Sequence, residues 1–125
     1  MKFAKWVFAI AGIYGILVTA PLYFYEAQIA VQMPPALTHP EYYYGFIGVT
    51  LAFQFVFLII AREPLHYRLF MLPSIFEKFS YALAILVLTL QSRAPALIIV
   101  FAAIDFFLGV LFVISFYLTR GREWQ

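Results

Sequence analysis

The sequence predicts an all-α membrane protein: a four-transmembrane-helix antiparallel bundle with the N and C termini cytoplasmic. Of its 125 residues, 66% are hydrophobic and only 11% are charged, whereas a soluble domain averages about 45–50% and about 25%. The apolar residues form four runs, each close to the roughly 20 residues that a helix needs to cross a bilayer. Lys and Arg concentrate on one side of these runs, which is typical of cytoplasmic ends.

The four runs predict helices at about 6–25, 42–61, 75–91 and 95–118 within a single domain, 1–125, with an outer loop 26–41 and an inner loop 62–74. Ser74 and Glu77 have the spacing of a capping box at the start of the third helix. Pro95 suits the first turn of the fourth. Because only a few residues separate these two helices, we expect a hairpin. A β-barrel fits less well, since the runs do not alternate in polarity.

The first run is interpreted as an uncleaved helix rather than a secretory signal. Lys2 and Lys5 precede it, as basic residues precede a signal peptide. However, the small residues around Ala20 are followed by Pro21, which is unfavourable after a cleavage point, and the run is longer than a signal usually carries.

Orientation is predicted from the basic residues, seven of which fall on one side of the bundle: Lys2, Lys5, Arg62, Arg68, Lys78, Arg120 and Arg122. Only Arg93 falls on the other side. The termini and the 62–74 loop are therefore expected in the cytoplasm, and the 26–41 loop outside. In that outer loop, Met33-Pro34-Pro35 and His39-Pro40 predict a stiff, extended connection.

Several function classes are excluded or disfavoured. The chain has no cysteine, so thiolate catalysis and cysteine-held metal centres are excluded. The basic residues are too few and scattered to bind nucleic acid. His39 and Glu41 are close in sequence, but the two histidines fall on opposite sides of the membrane, so we expect no metal site. No catalytic motif is present, and we expect no cofactor.

A layer of polar residues near the middle of the bundle is the candidate site. Asp105 lies about 15 Å from the outer end of its helix, and an ionisable group at that depth needs a partner or a function. The same arithmetic places Tyr14, Gln54 and either Ser80 or Tyr81 in its layer. Two interpretations stay open: the cluster fixes the packing of the helices by hydrogen bonds, or Asp105 is a protonatable group or ligand contact in a cavity.

Small residues predict where helices approach each other closely. Ala102 and Gly109 flank Asp105 on one face, and Ala11 and Gly15 flank Tyr14. In the second helix, Gly48 and Ala52 lie nearly opposite Thr50 and Gln54, which leaves one of these two faces for a second subunit.

The remaining charged residues are given structural roles. Glu77 and Lys78 are neighbours and point about 100° apart, so they are not expected to face each other. We expect Glu77 to complete the capping box and Lys78 to extend to the membrane surface. Glu63, His66 and Arg68 are expected to set the topology of the inner loop, with a lipid headgroup or partner contact as the alternative.

From the second helix onward, the chain resembles small uncharacterised four-helix bacterial membrane proteins, loosely DoxX-like. The resemblance rests on four short segments: His39-Pro40-Glu41-Tyr42-Tyr43-Tyr44-Gly45-Phe46, Arg62-Glu63-Pro64, Leu72-Pro73-Ser74-Ile75-Phe76-Glu77-Lys78 and Asp105-Phe106-Phe107-Leu108-Gly109. It implies four helices and the bacterial cytoplasmic (inner) membrane. Small multidrug transporters are similar in size, but their membrane-embedded glutamate has no counterpart at residues 6–25.

Three functions are compatible with these features. The sequence favours a non-enzymatic accessory or scaffold subunit that packs against membrane partners, in a homodimer or a larger membrane complex. The second is a binding protein or proton-coupled carrier for a lipid or small apolar molecule, which would use Asp105, Tyr14, Gln54, Tyr81 and Ser80. The third, an integral-membrane isomerase or reductase, needs a second acid or base near Asp105, where only tyrosines are expected.

Overall fold

A computed structural model describes residues 2–32 and 38–121, which form helices and their connections without a strand. The α-helices are α1 (Lys2–Thr19), α2 (Glu26–Gln32), α3 (Pro40–Arg62), α4 (Met71–Leu90) and α5 (Ala96–Leu118). A 3₁₀ segment (Ala20–Phe24) continues α1, and a 3₁₀ turn (Arg68–Phe70) precedes α4. Four helical segments, all but α2, are long and apolar enough to span a membrane. For the described residues, the prediction of an all-helical fold with four such helices is confirmed.

The start of α4 differs from the prediction. The helix begins at Met71, after the turn at Arg68, so Ser74 already lies inside it. The Ser74 hydroxyl donates to the carbonyl oxygen of Phe70 at 2.8 Å rather than capping the helix, and the predicted capping box with Glu77 is therefore wrong. Pro73 permits the earlier start because a missing N–H is harmless in a first turn.

The connection between α1 and α3 contains an additional short helix, α2, inside the predicted loop 26–41. It is attached to α3 by the Tyr44 hydroxyl, which donates to Glu26 Oε2 at 2.8 Å. Nearby, the Tyr43 hydroxyl donates to the carbonyl oxygen of Leu22 at 2.5 Å. Pro40 is the first residue of α3 rather than part of an extended segment. The predictions for Met33-Pro34-Pro35 and Arg122 lie outside the described residues.

The helices pack in the order α3, α1, α5, α4, with α1 in contact with both α3 and α5, while α3 and α4 touch little. Small residues make this packing close. A Cβ added at Gly12 would lie 2.7 Å from Leu58 Cδ2 and 3.0 Å from the Gln54 carbonyl oxygen. One added at Gly109 would lie 3.0 Å from the ring of Phe79. The small-residue faces of α1 and α5 thus lie at helix contacts.

We define the inner end of the bundle as the end that carries Lys2, Arg62 and Leu118, and the outer end as the opposite one. The inner half is filled by Phe8, Phe57 and Phe112, which come from three helices and are fully buried. The rings of Phe8 and Phe112 stack with centroids 4.2 Å apart, and Phe57 meets Phe112 edge to face at 4.9 Å. This aromatic core leaves little free space there.

Arg68 closes the inner end by binding the C-terminus of α5. Its Nη2 and Nε donate to the carbonyl oxygen of Phe116 at 2.8 and 3.1 Å, and Nε also lies 3.1 Å from Thr119 Oγ1. The guanidinium stacks on the ring of Phe116, 3.7 Å from its centroid. A cation at a helix C-terminus stabilises its unpaired carbonyls. Arg68 is therefore a buried structural residue as well as a basic residue of the inner connection.

Enlarging Gly12 is expected to destabilise the bundle. In Gly12→Leu the new side chain would collide with α3, and overpacking of this kind costs about 1–3 kcal/mol of unfolding free energy. Gly45→Leu is the matched control, because no atom lies within 4 Å of a Cβ at Gly45. Thermal unfolding in detergent micelles should show a lower midpoint for Gly12→Leu only; equal midpoints would contradict the α1–α3 contact.

Candidate binding site

A cavity of about 590 Å³ occupies the outer half of the bundle, above the aromatic core. All five helices contribute to its wall: Tyr14, Gly15, Val18 and Thr19 from α1, Gln28, Ile29 and Gln32 from α2, Tyr43, Phe46, Thr50 and Gln54 from α3, Glu77, Lys78 and Tyr81 from α4, and Leu97, Ile98, Phe101 and Asp105 from α5, together with Leu22 and Tyr25. Most of this wall is apolar or aromatic, and its charged side chains are Glu77, Lys78 and Asp105.

Four of the five predicted site residues line this cavity together: Asp105, Tyr14, Gln54 and Tyr81. Ser80 does not. It is exposed, and its hydroxyl donates to the carbonyl oxygen of Glu77 at 3.2 Å. Successive residues of a helix point about 100° apart, so Ser80 faces away when Tyr81 faces inward.

Lys78 is the partner of Asp105, which the sequence reasoning missed. Its Nζ lies 3.2 Å from Asp105 Oδ1 and 3.7 Å from Glu77 Oε2, and the residue is only 3% exposed. The expectation that Lys78 extends to the surface is wrong. The apolar helical segment that contains α4 starts at Arg68, so Lys78 lies about 15 Å along it, and Asp105 offers a nearby counter-charge.

The Glu77–Lys78 contact also corrects the expectation that these neighbours do not meet. The two side chains do leave the helix in different directions, but the four-carbon Lys78 side chain is long enough to place its ammonium near both carboxylates. In the sequence, Gly109 one turn after Asp105 indicates a close helix contact but does not identify Lys78 as the partner. In the structure, a Cβ at Gly109 would be 3.2 Å from Lys78 Cβ, so the glycine allows the two helices to approach at the ion pair.

We define the charged triad as Glu77, Lys78 and Asp105. With all three groups ionised, it carries one positive and two negative charges. Lys78 Nζ also lies 5.2 Å from the centroid of the Phe57 ring, so the triad rests on the aromatic core. The side chains of Glu77 and Asp105 keep 18% and 17% of their surface exposed. They are therefore the part of the triad that a molecule in the cavity would meet.

Gln54 presents an unpaired acceptor in the wall of the same cavity. Its Nε2 donates to the carbonyl oxygen of Thr50 at 2.8 Å, while its Oε1 has no hydrogen-bond partner among the described residues. The residue is 1% exposed. Its amide occupies the space above Gly15, where any side chain would collide with it. A buried acceptor without a donor costs free energy, and a ligand or water can supply one.

The described residues contain no group of three His, Asp or Glu side chains that would hold a metal ion. His39 Nδ1 and Glu41 Oε1 are 3.1 Å apart on the exposed surface, where they form a pair of their own. Within the triad, the ammonium of Lys78 lies against both carboxylates. The arrangement is therefore suited to recognising a polar or charged group.

The chain matches no protein-family model, and no curated protein or solved structure shows significant similarity to it. The resemblance to DoxX-like proteins stays a prediction.

The Lys78–Asp105 ion pair is expected to be energetically coupled. Lys78→Met leaves two carboxylates without a counter-charge and should lower the unfolding free energy by about 3–5 kcal/mol. Asp105→Asn should lower the unfolding free energy less, because Lys78 still has Glu77 as a counter-charge. The double variant should lose less unfolding free energy than the two single variants lose in sum. Chemical unfolding in detergent measures all three.

The control for this cycle is Arg62→Met, which removes an exposed cation and should change stability by no more than about 0.5 kcal/mol. Additive effects of the two single variants would show that the pair contributes no coupling.

Proposed function

We infer that the chain is a multi-pass membrane protein that binds a lipid or another small apolar molecule in its outer cavity. The cavity is the observation that carries this inference. Its volume of about 590 Å³ lies within the range of about 300–1,000 Å³ typical of ligand sites, and apolar walls with a few convergent polar groups are characteristic of such sites.

Membrane insertion is supported by the outward surface of the bundle. Large apolar side chains such as Leu17, Phe76 and Phe107 are more than half exposed on three of the four long helices. A surface of this kind is costly in water and favourable in lipid. We propose that the protein lies in the bacterial cytoplasmic membrane, with both termini and the 63–67 connection in the cytoplasm. Of its eight basic residues, six belong to that side; Lys78 is inside the bundle and only Arg93 falls on the other side.

The orientation is testable by cysteine labelling, because the natural chain has no cysteine to remove. Thr38→Cys, outside, and Glu63→Cys, inside, each introduce one thiol at an exposed position. A membrane-impermeant maleimide should label only Thr38→Cys in intact cells and both variants after permeabilisation. The reverse pattern would contradict the proposed orientation.

The cavity favours binding over the accessory or scaffold function. Solid packing around Asp105, Tyr14 and Gln54 would have supported a purely structural polar cluster, whereas these residues line open space. The scaffold function stays a prediction. For the enzyme hypothesis, the structure adds Glu77 and Lys78 to the tyrosines near Asp105, although Lys78 and Asp105 already neutralise each other.

Filling the cavity should abolish binding. Val18 lines it and is half-buried, so Val18→Trp would occupy much of the space from the α1 side. Native mass spectrometry of wild-type protein purified in mild detergent should show a specific bound apolar molecule, and Val18→Trp should lose at least about 90% of it.

Leu17→Trp is the matched control, because Leu17 is the preceding residue of α1 and is 71% exposed. It should keep the bound molecule. The binding function would be contradicted by a wild-type protein without a specific adduct, or by a folded Val18→Trp variant, verified by its helical circular dichroism, that retains it.

A further inference from the structure

We propose that the cavity selects hydrophobic organic cations, which bind with their positive charge at Glu77 and Asp105 and their apolar groups against the aromatic wall. This inference rests on the proposed function and names the chemical class of its ligand.

The charge of the triad is the first argument. Two carboxylates share one ammonium, so the ionised triad keeps one negative charge. Among the described residues, Lys78 is the only basic one in the wall, so no other described lining residue neutralises this charge. A net charge in apolar surroundings is unfavourable. One further positive charge neutralises the triad, and either a proton or a cationic ligand can supply it.

The composition of the wall is the second argument. Tyr14, Tyr81, Phe46 and Phe101 line the cavity from four helices, and the rings of Phe46 and Tyr81 lie with centroids 6.4 Å apart across the α3–α4 interface. Aromatic faces attract organic cations, and they do so more strongly where water is excluded. The wall therefore binds both the charge and the apolar groups of such a ligand.

Gln54 is the third and independent argument. Its buried Oε1 is an acceptor without a donor among the described residues, and it is the negative end of an amide dipole. A protonated amine would satisfy it by donating an N–H, and a quaternary cation would interact favourably with the dipole. An anion would be repelled by both carboxylates and by this oxygen. The one group that would attract it, Lys78, is already paired.

The test uses two probes of matched shape and opposite charge, tetraphenylphosphonium and tetraphenylborate, with the full chain in detergent at about pH 8, where protons compete least for the carboxylates. Equilibrium dialysis, corrected with protein-free micelles, gives the affinities. Glu77→Gln removes one negative charge but keeps the Lys78–Asp105 pair. It should weaken phosphonium binding at least tenfold and leave borate binding equal or stronger.

Ser80→Ala is the matched control on α4, because Ser80 lies outside the cavity, and it should change neither affinity. If Glu77→Gln does not fold, Tyr81→Leu keeps all charges and removes one ring. It should weaken phosphonium binding about threefold, as expected from one cation–π contact, with no loss for borate.

The outcomes separate this inference from the proposed function. Equal losses for both probes in Glu77→Gln, or no loss for phosphonium, would overturn cation selection. If cation selection fails but Val18→Trp still removes a co-purified apolar molecule, the proposed binding function is retained and only the ligand class is wrong. If neither probe nor any native adduct binds the wild type, both proposals fail.

Discussion

The largely buried ion pair between Lys78 and Asp105 is the interaction on which the arrangement of the bundle depends. Each charge is tolerable in an apolar interior only beside the other, at the observed 3.2 Å. This distance requires α4 and α5 to approach closely, and the absence of a side chain at Gly109 permits it. The pair therefore determines both the register of these helices and the depth at which polar groups meet the cavity.

The two halves of the bundle are built differently, and this difference creates the site. In the inner half, the rings of Phe8, Phe57 and Phe112 fill the centre, and Arg68 binds the last turn of α5. In the outer half, α3 and α4 touch little and α2 lies at the end. Space thus remains where the helices diverge, and the closed inner half gives that space a rigid floor.

Sequence reasoning predicted the long helices and the polar layer because apolar length and depth along a helix are local properties. It placed Asp105, Tyr14, Gln54 and Tyr81 in one layer, and they do line one cavity. It missed Lys78 because the start of α4 was set by Ser74 instead of the turn at Arg68. This error of a few residues in the start of α4 led to the wrong prediction that Lys78 lies at the membrane surface. The α2 helix and the empty space depend on packing, which no periodicity encodes.

Both members of the central ion pair belong to the α4–α5 hairpin, whose connection spans only residues 91–95. An isolated charged residue costs about 2.5–3.5 kcal/mol when its helix enters a bilayer during synthesis. Because its counter-ion arrives on the adjacent helix, the hairpin can leave the translocon as a unit with these charges already paired. In the membrane that we propose for this chain, the ion pair would then set the order of insertion. The helix α4 would enter the bilayer together with α5, and neither α1 nor α3 would need to supply a counter-charge.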